Sequence, residues 1–150
     1  IAVDASRSML EQARQRLDAE GVVGVDLRLG DLAHLPLQDG EVDTVVANMV
    51  LHHLPEPPQV LPEIRRVLKP GGRLLTGDFL PHDQDWMREA LADQWLGLAP
   101  EQLASWLEDH GFESVEIQSF PPNRPGALAV FVASAILGAS VPRSPSIQGV

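Results

Sequence analysis

Residues 42–48 read Val42-Asp43-Thr44-Val45-Val46-Ala47-Asn48. Val42 to Ala47 is apolar except for Asp43 and Thr44, and it follows an Asp39-Gly40 turn. A strand with one wet face alternates, whereas a near-continuous apolar run marks a parallel strand covered on both faces, so a central strand is expected here. Downstream, Val60, Leu61, Ile64, Val67 and Leu68 share one helical face, and Glu63, Arg65 and Arg66 share the other. That spacing predicts a helix from about Pro58 to Leu68, weakened in its first turn by Pro62. Lys69 suits the helix C-terminus, Pro70-Gly71 makes a turn, and Leu74 to Phe79 gives the next strand. Upstream, Ile1 to Val3 read as the end of a buried strand. Ser6 then caps a helix bearing Met9, Leu10, Ala13 and Leu17, which stops at Gly21. Val25 to Leu29 alternates in the manner of a strand with one wet face.

Towards the C-terminus, Asp83 to Trp95 and Pro100 to His110 predict two helices, the second with proline at an allowed first position and Gly111 as its stop. Val115 to Phe120 and Leu128 to Ser134 are the last strands. The loop between them, Pro121 to Gly126, is too short for a crossover helix, so this pair is antiparallel. Strands alternating with helices imply an α/β fold, a mostly parallel sheet with helices on both faces and right-handed crossovers. No internal repeat is present. Nothing periodic follows Leu137, which divides the chain into a domain over 1–137 and a flexible tail over 138–150.

The chain has 150 residues, 44% hydrophobic and 21% charged, enough for one globular domain and too few for a second full one. A formal net charge of −10 disfavours a nucleic-acid backbone or an anionic membrane surface as partner and leaves a small molecule or a protein as the better substrate. The longest apolar run, Ala127 to Leu137, is interrupted by Ser134 and falls short of the roughly 18 to 20 residues of a membrane span. Without cysteine there is no disulfide, thiolate nucleophile or zinc–thiolate site, in keeping with a reducing, cytoplasmic setting. The chain opens at Ile1 in the middle of an apolar run, so upstream residues are expected to precede it.

In an open parallel sheet the ligand crevice lies beyond the carboxyl ends of the strands, which singles out Asp4, Asp31, Asn48 and Asp78. Asp4 is placed either to accept from a ribose hydroxyl pair or to cap a helix. Asp31, after Gly30, is either an acceptor for an exocyclic amine such as that of adenine or a turn residue. Asn48 offers a donor and an acceptor to the crevice, or a helix cap. His52 and His53 sit where a proton acceptor meets a substrate; the alternative is one histidine packed at the junction and its neighbour solvated. Asp78, His82, Asp83 and Trp86 are candidates for the substrate pocket wall, or else a helix start with Trp86 in the core. Trp95 and Trp106 are expected in the core. His34 and His82 share no ligand spacing with the histidine pair, so no metal site is expected.

Five blocks, in order and in register, carry a resemblance: Ile1-Ala2-Val3-Asp4-Ala5-Ser6 with Met9-Leu10, Gly30-Asp31-Leu32 with Leu35-Pro36, Val42 to Asn48, Leu51-His52-His53-Leu54, and Val67-Leu68-Lys69-Pro70-Gly71-Gly72. Over roughly Ile1 to Phe120 the chain resembles the class I S-adenosylmethionine-dependent methyltransferases. The stretch His82 to Arg88 with Trp95-Leu96-Gly97 looks like the methyltransferase domains behind winged-helix repressors of the arsenical-resistance type, which implies an upstream DNA-binding domain. The resemblance implies a Rossmann-like sheet, here lacking the first strand and the glycine-rich loop that cradles the methionine end of the cofactor. It also implies S-adenosyl-L-methionine as cofactor, with Asp4 on the ribose hydroxyls, Ser6 and Met9 along the adenosine, Asp31 and Leu32 at the adenine and Asn48 beside the methionine portion. Methyl transfer to a small molecule is the leading expectation, and a non-catalytic ligand-sensing module is the alternative. A nicotinamide dehydrogenase is disfavoured by the Gly30-Asp31-Leu32 and Lys69-Pro70-Gly71-Gly72 blocks.

Overall fold

A computed structural model describes residues 1–122 and 124–139. Strand β1 (Ala2–Asp4) leads into helix α1 (Arg7–Ala19), and β2 (Leu27–Leu29) returns parallel to β1 with Asp4 opposite Leu29. Ser6 caps α1 as expected, its Oγ accepting from the Met9 amide at 3.3 Å. After a loop come β3 (Val42–Asn48), two short 3-10 turns (Leu51–His53 and Pro57–Val60), α2 (Leu61–Val67) and β4 (Leu68–Phe79). The chain ends in α3 (Trp86–Leu91), α4 (Pro100–Asp109), β5 (Phe112–Phe120) and β6 (Val130–Leu137). The larger sheet has the order β3-β4-β6-β5, with β3 and β4 parallel and β6 antiparallel to both its neighbours. The architecture is a mixed Rossmann-like α/β sheet.

Alternation on β4 and β6 decides where the core sits. Leu74, Thr76 and Asp78 are buried on one strand, and Phe131, Ala133, Ala135 and Leu137 on the other, while Val132 is 47% exposed. The buried face packs against Leu61 and Ile64 of α2 and Leu103 and Leu107 of α4. Full burial of a side chain such as Phe131 contributes about 2–3 kcal/mol.

Several expectations change. Strand β3 is not central: among the described residues its one partner is β4, and Val46 is 67% exposed. The apolar run is real, but β1 and β2 form a separate ribbon that does not pair with it. The fold combines the parallel β1-β2 and β3-β4 pairs with an antiparallel C-terminal strand, and α2 and α4 lie together on one face of the larger sheet. The helix expected from Asp83 to Trp95 is confined to Trp86–Leu91. It stops because Ala92 takes a left-handed conformation (φ 59°) and the amides of Gln94 and Trp95 both donate to the His52 carbonyl, at 2.9 and 3.0 Å. Trp95 is 36% exposed instead of buried; its ring meets Trp106 edge-on, and its Nε1 donates to the Leu54 carbonyl. The tail expected over 138–150 lies, from residue 140 on, outside the described residues.

Candidate functional site

Strand ends supply the site. At the end of β1 the Asp4 Oδ1 accepts from the Ser6 amide at 2.7 Å, which orients the carboxylate while the same serine caps α1. Because β1 and β2 are parallel neighbours, Gly30 and Asp31 emerge beside Asp4, and the Gly30 amide donates to the Asp4 carbonyl at 3.1 Å. A Cβ on Gly30 would lie 2.5 Å from Pro36 Cδ, so only glycine permits this close turn. Asp31 Oδ1 accepts from the Ala33 amide at 2.8 Å, and the Asp31 carbonyl accepts from His34, a tight turn that presents half-buried Leu32. Met9, on the first turn of α1, is 51% exposed.

The segment following Asp31 is fastened to α2 by Arg66. Its guanidinium donates to the carbonyls of Leu35 and Leu37 and to the carboxylates of Asp39 and Glu63. Glu63 in turn accepts from the Leu35 amide at 2.7 Å. The bond from Arg66 holds the Glu63 carboxyl below the usual carboxylate range, against the opposing effect of burial.

At the end of β3, Asn48 is exposed, and Met49 adopts φ 54°, its amide donating to the Gly77 carbonyl at 2.8 Å. Left-handed backbone at a residue other than glycine is strained and concentrates at functional sites. This turn delivers the histidine pair. His52 is 3% exposed: its amide donates to Asp78 Oδ2 at 3.2 Å, and its Nδ1 lies 2.6 Å from Asp78 Oδ1. The other ring nitrogen, Nε2, lies 3.7 Å from Asp93 Oδ1. His53 keeps 43% of its side chain exposed, with Nδ1 3.3 Å from the same oxygen. The fold thus buries His52 and leaves His53 half-exposed.

The expected pocket wall is split. Asp78 is fully buried behind His52, so it reaches a ligand only through that imidazole. His82 is half-buried with its ring edge-on to Phe79, and Trp86 is 58% exposed, outside the core. Asp93 was not foreseen. It is 2% exposed, and among the described residues neither of its carboxylate oxygens has a hydrogen-bond donor. Nothing in the local pattern marks it, because the residues it faces lie some forty positions earlier in the chain.

The chain is 33% identical over 123 residues to an arsenite methyltransferase of Halobacterium salinarum, covering 78% of this chain and 32% of that protein. It spans between 22% and 62% of the length of eight curated relatives that it matches. Its fold is shared with a SAM-dependent methyltransferase from Aquifex aeolicus at TM-score 0.68 and 22% identity, covering 91% of this chain and 67% of that one. It is shared equally with a [4+2]-cyclase, SpnF, at TM-score 0.74 and 21% identity, covering 92% and 65%. The fold therefore does not fix the reaction. A sequence family described as a methyltransferase domain matches residues 1–76. That match spans β1 through most of β4 and takes in Asp4, Asp31, Asn48 and His52, and on it the chain belongs to the methyltransferase domain family.

Proposed function

We propose that the protein binds S-adenosyl-L-methionine across the carboxyl ends of β1, β2 and β3 and transfers its methyl group to a small-molecule acceptor. The observation that carries this reading is the placement of two acids at the carboxyl ends of paired parallel strands, Asp4 opposite Leu29 and Asp31 two residues beyond it. The first suits a ribose hydroxyl pair and the second an adenine amine. The donor set fits the cofactor: Ser6 orients Asp4, Leu32 and exposed Met9 offer apolar surface to the adenosine, and Asn48 borders the methionine portion.

When bound, the cofactor supplies a methyl carbon already joined to an excellent leaving group. The chain therefore has to position and desolvate the reactants, and a dedicated base serves only those acceptors that must lose a proton. Both ring nitrogens of His52 face carboxylates, so of the two histidines His53 is the one exposed towards a substrate. Exposed Trp86 suits stacking on an apolar or cationic acceptor.

Calorimetric titration of S-adenosylhomocysteine tests the reading, with the chain alone and with a longer chain that supplies a glycine-rich loop before Ile1. Binding weakened about 10- to 100-fold by Asp4→Ala supports it, as loss of a charged hydrogen bond predicts. A folded longer chain that binds neither S-adenosylhomocysteine nor S-adenosylmethionine would overturn it. Binding without consumption of the cofactor would leave a ligand-sensing module.

A further inference from the structure

We propose that His52, His53 and Asp93 form a binding site for a divalent transition cation of the zinc type, with an open coordination position. The inference does not rest on the methyl-transfer reading.

One donor atom from each of the three residues lies within 4.8 Å of the others. Ligands held about 2.0–2.1 Å from a tetrahedral ion stand about 3.3–3.4 Å from one another. Asp93 Oδ1 lies 3.3 Å from His53 Nδ1 and 3.7 Å from His52 Nε2. The second distance is too long for a hydrogen bond and close to a coordination edge. Asp93 is the independent sign of a missing partner: it is 98% buried, as its 2% exposure gives, with both oxygens lacking a donor among the described residues. A buried carboxylate left in that state is costly, and a cation between it and the imidazoles removes the cost.

Asp78 completes the arrangement. Its contact with His52 Nδ1 at 2.6 Å is the carboxylate–histidine pairing that fixes a ligand's tautomer and leaves the Nε2 lone pair for a metal. Two buried carboxylates, Asp78 and Asp93, carry two negative charges when ionised, and a divalent ion balances both. The backbone is also bent to serve Asp93: Ala92 is left-handed, and the next two amides are pinned to the His52 carbonyl. The half-exposed His53 ring gives an entry path. Two imidazoles and one carboxylate favour zinc or cobalt over oxygen-preferring magnesium, and three protein ligands leave a fourth position for water or substrate.

Zn2+, Co2+ and Mg2+ titrated separately into the chelator-treated 150-residue chain test the site, by calorimetry and by visible absorption of Co2+. We expect one equivalent of Zn2+ or Co2+, intense four-coordinate Co2+ bands, and no competition from Mg2+. Asp78→Asn should weaken Zn2+ about 10- to 100-fold, and Asp93→Asn by more than that. His53→Gln, at an exposed position that the fold tolerates, should weaken it as much as Asp93→Asn. Absence of Zn2+ binding, a six-coordinate Co2+ spectrum, or undiminished binding by folded His53→Gln would each overturn the assignment.

Discussion

The Nδ1 atom of His52 lies 2.6 Å from Oδ1 of Asp78, and both residues are removed from water. Asp78 also accepts from the amides of His52 and Phe79, so this one carboxylate ties the turn after β3 to the end of β4. Asp78→Ala leaves three donors without their partner, two of them buried. The expected loss is about 3–5 kcal/mol, seen as a lower urea midpoint with an unchanged slope. A loss below about 1 kcal/mol would mean that the imidazole finds a substitute.

Arg66 fastens residues 35–39 to α2 through three acceptors there, the Leu35 and Leu37 carbonyls and the Asp39 carboxylate. Arg66→Ala is expected to cost about 2 kcal/mol and to speed amide exchange of Leu35 and Gly40, whose amides bond to Glu63 and to the Arg66 carbonyl. Arg66→Lys should recover little of this, since an ammonium cannot span carbonyls and carboxylates in one plane.

The depressed Glu63 carboxyl gives the stability a pH dependence of known sign. A carboxyl that binds its proton less readily when folded contributes stability above its unfolded value and loses it on acidification. Stability should fall by about 1 kcal/mol as pH drops from about 4.5, the contribution being discounted for partial exposure. Glu63→Gln should flatten that part of the profile in denaturation measured at successive pH values.

Ala92 occupies left-handed backbone that disfavours a side chain. Ala92→Gly should therefore stabilise the fold by about 1 kcal/mol, against the usual direction for glycine, and thermal unfolding will show it as a higher midpoint.

Gly97 is the opposite case. A Cβ there would lie 2.1 Å from the Leu80 carbonyl oxygen, and its φ is +79°. The Leu98 amide donates to Phe79 and the His82 amide to Leu96, so neither strand of this closure can yield. Gly97→Ala is expected to destabilise by about 3 kcal/mol, measured by equilibrium unfolding.

Local sequence pattern carries much of this architecture. Ser6 announces α1, Pro100 and Gly111 bracket α4, and the short Pro121 to Gly126 loop forces β5 and β6 to be antiparallel. Asp4, Asp31 and Asn48 were legible because a strand's end is written in the end of its apolar run. What escaped depends on partners distant in sequence. The apolar content of Val42 to Ala47 says nothing about which strands flank it, and Val46 is exposed because β1 and β2 pair elsewhere. The helical spacing expected from Asp83 to Trp95 is overridden beyond Leu91 by two bonds to the His52 carbonyl. Asp93 acquires its character only when those bonds bring it against the histidines.

No residue before Ala47 is buried among the described residues, whereas the core cluster begins at Leu51. The part of the molecule that carries Asp4 and Asp31 thus has little hydrophobic burial of its own to hold it in one arrangement. Such a region opens locally at lower cost than the core around Ile64 and Phe131, so amide exchange should be faster in α1 than in α4. On the proposed function, substitutions in α1 or at Arg66 should then shift apparent nucleoside affinity without touching the ligand.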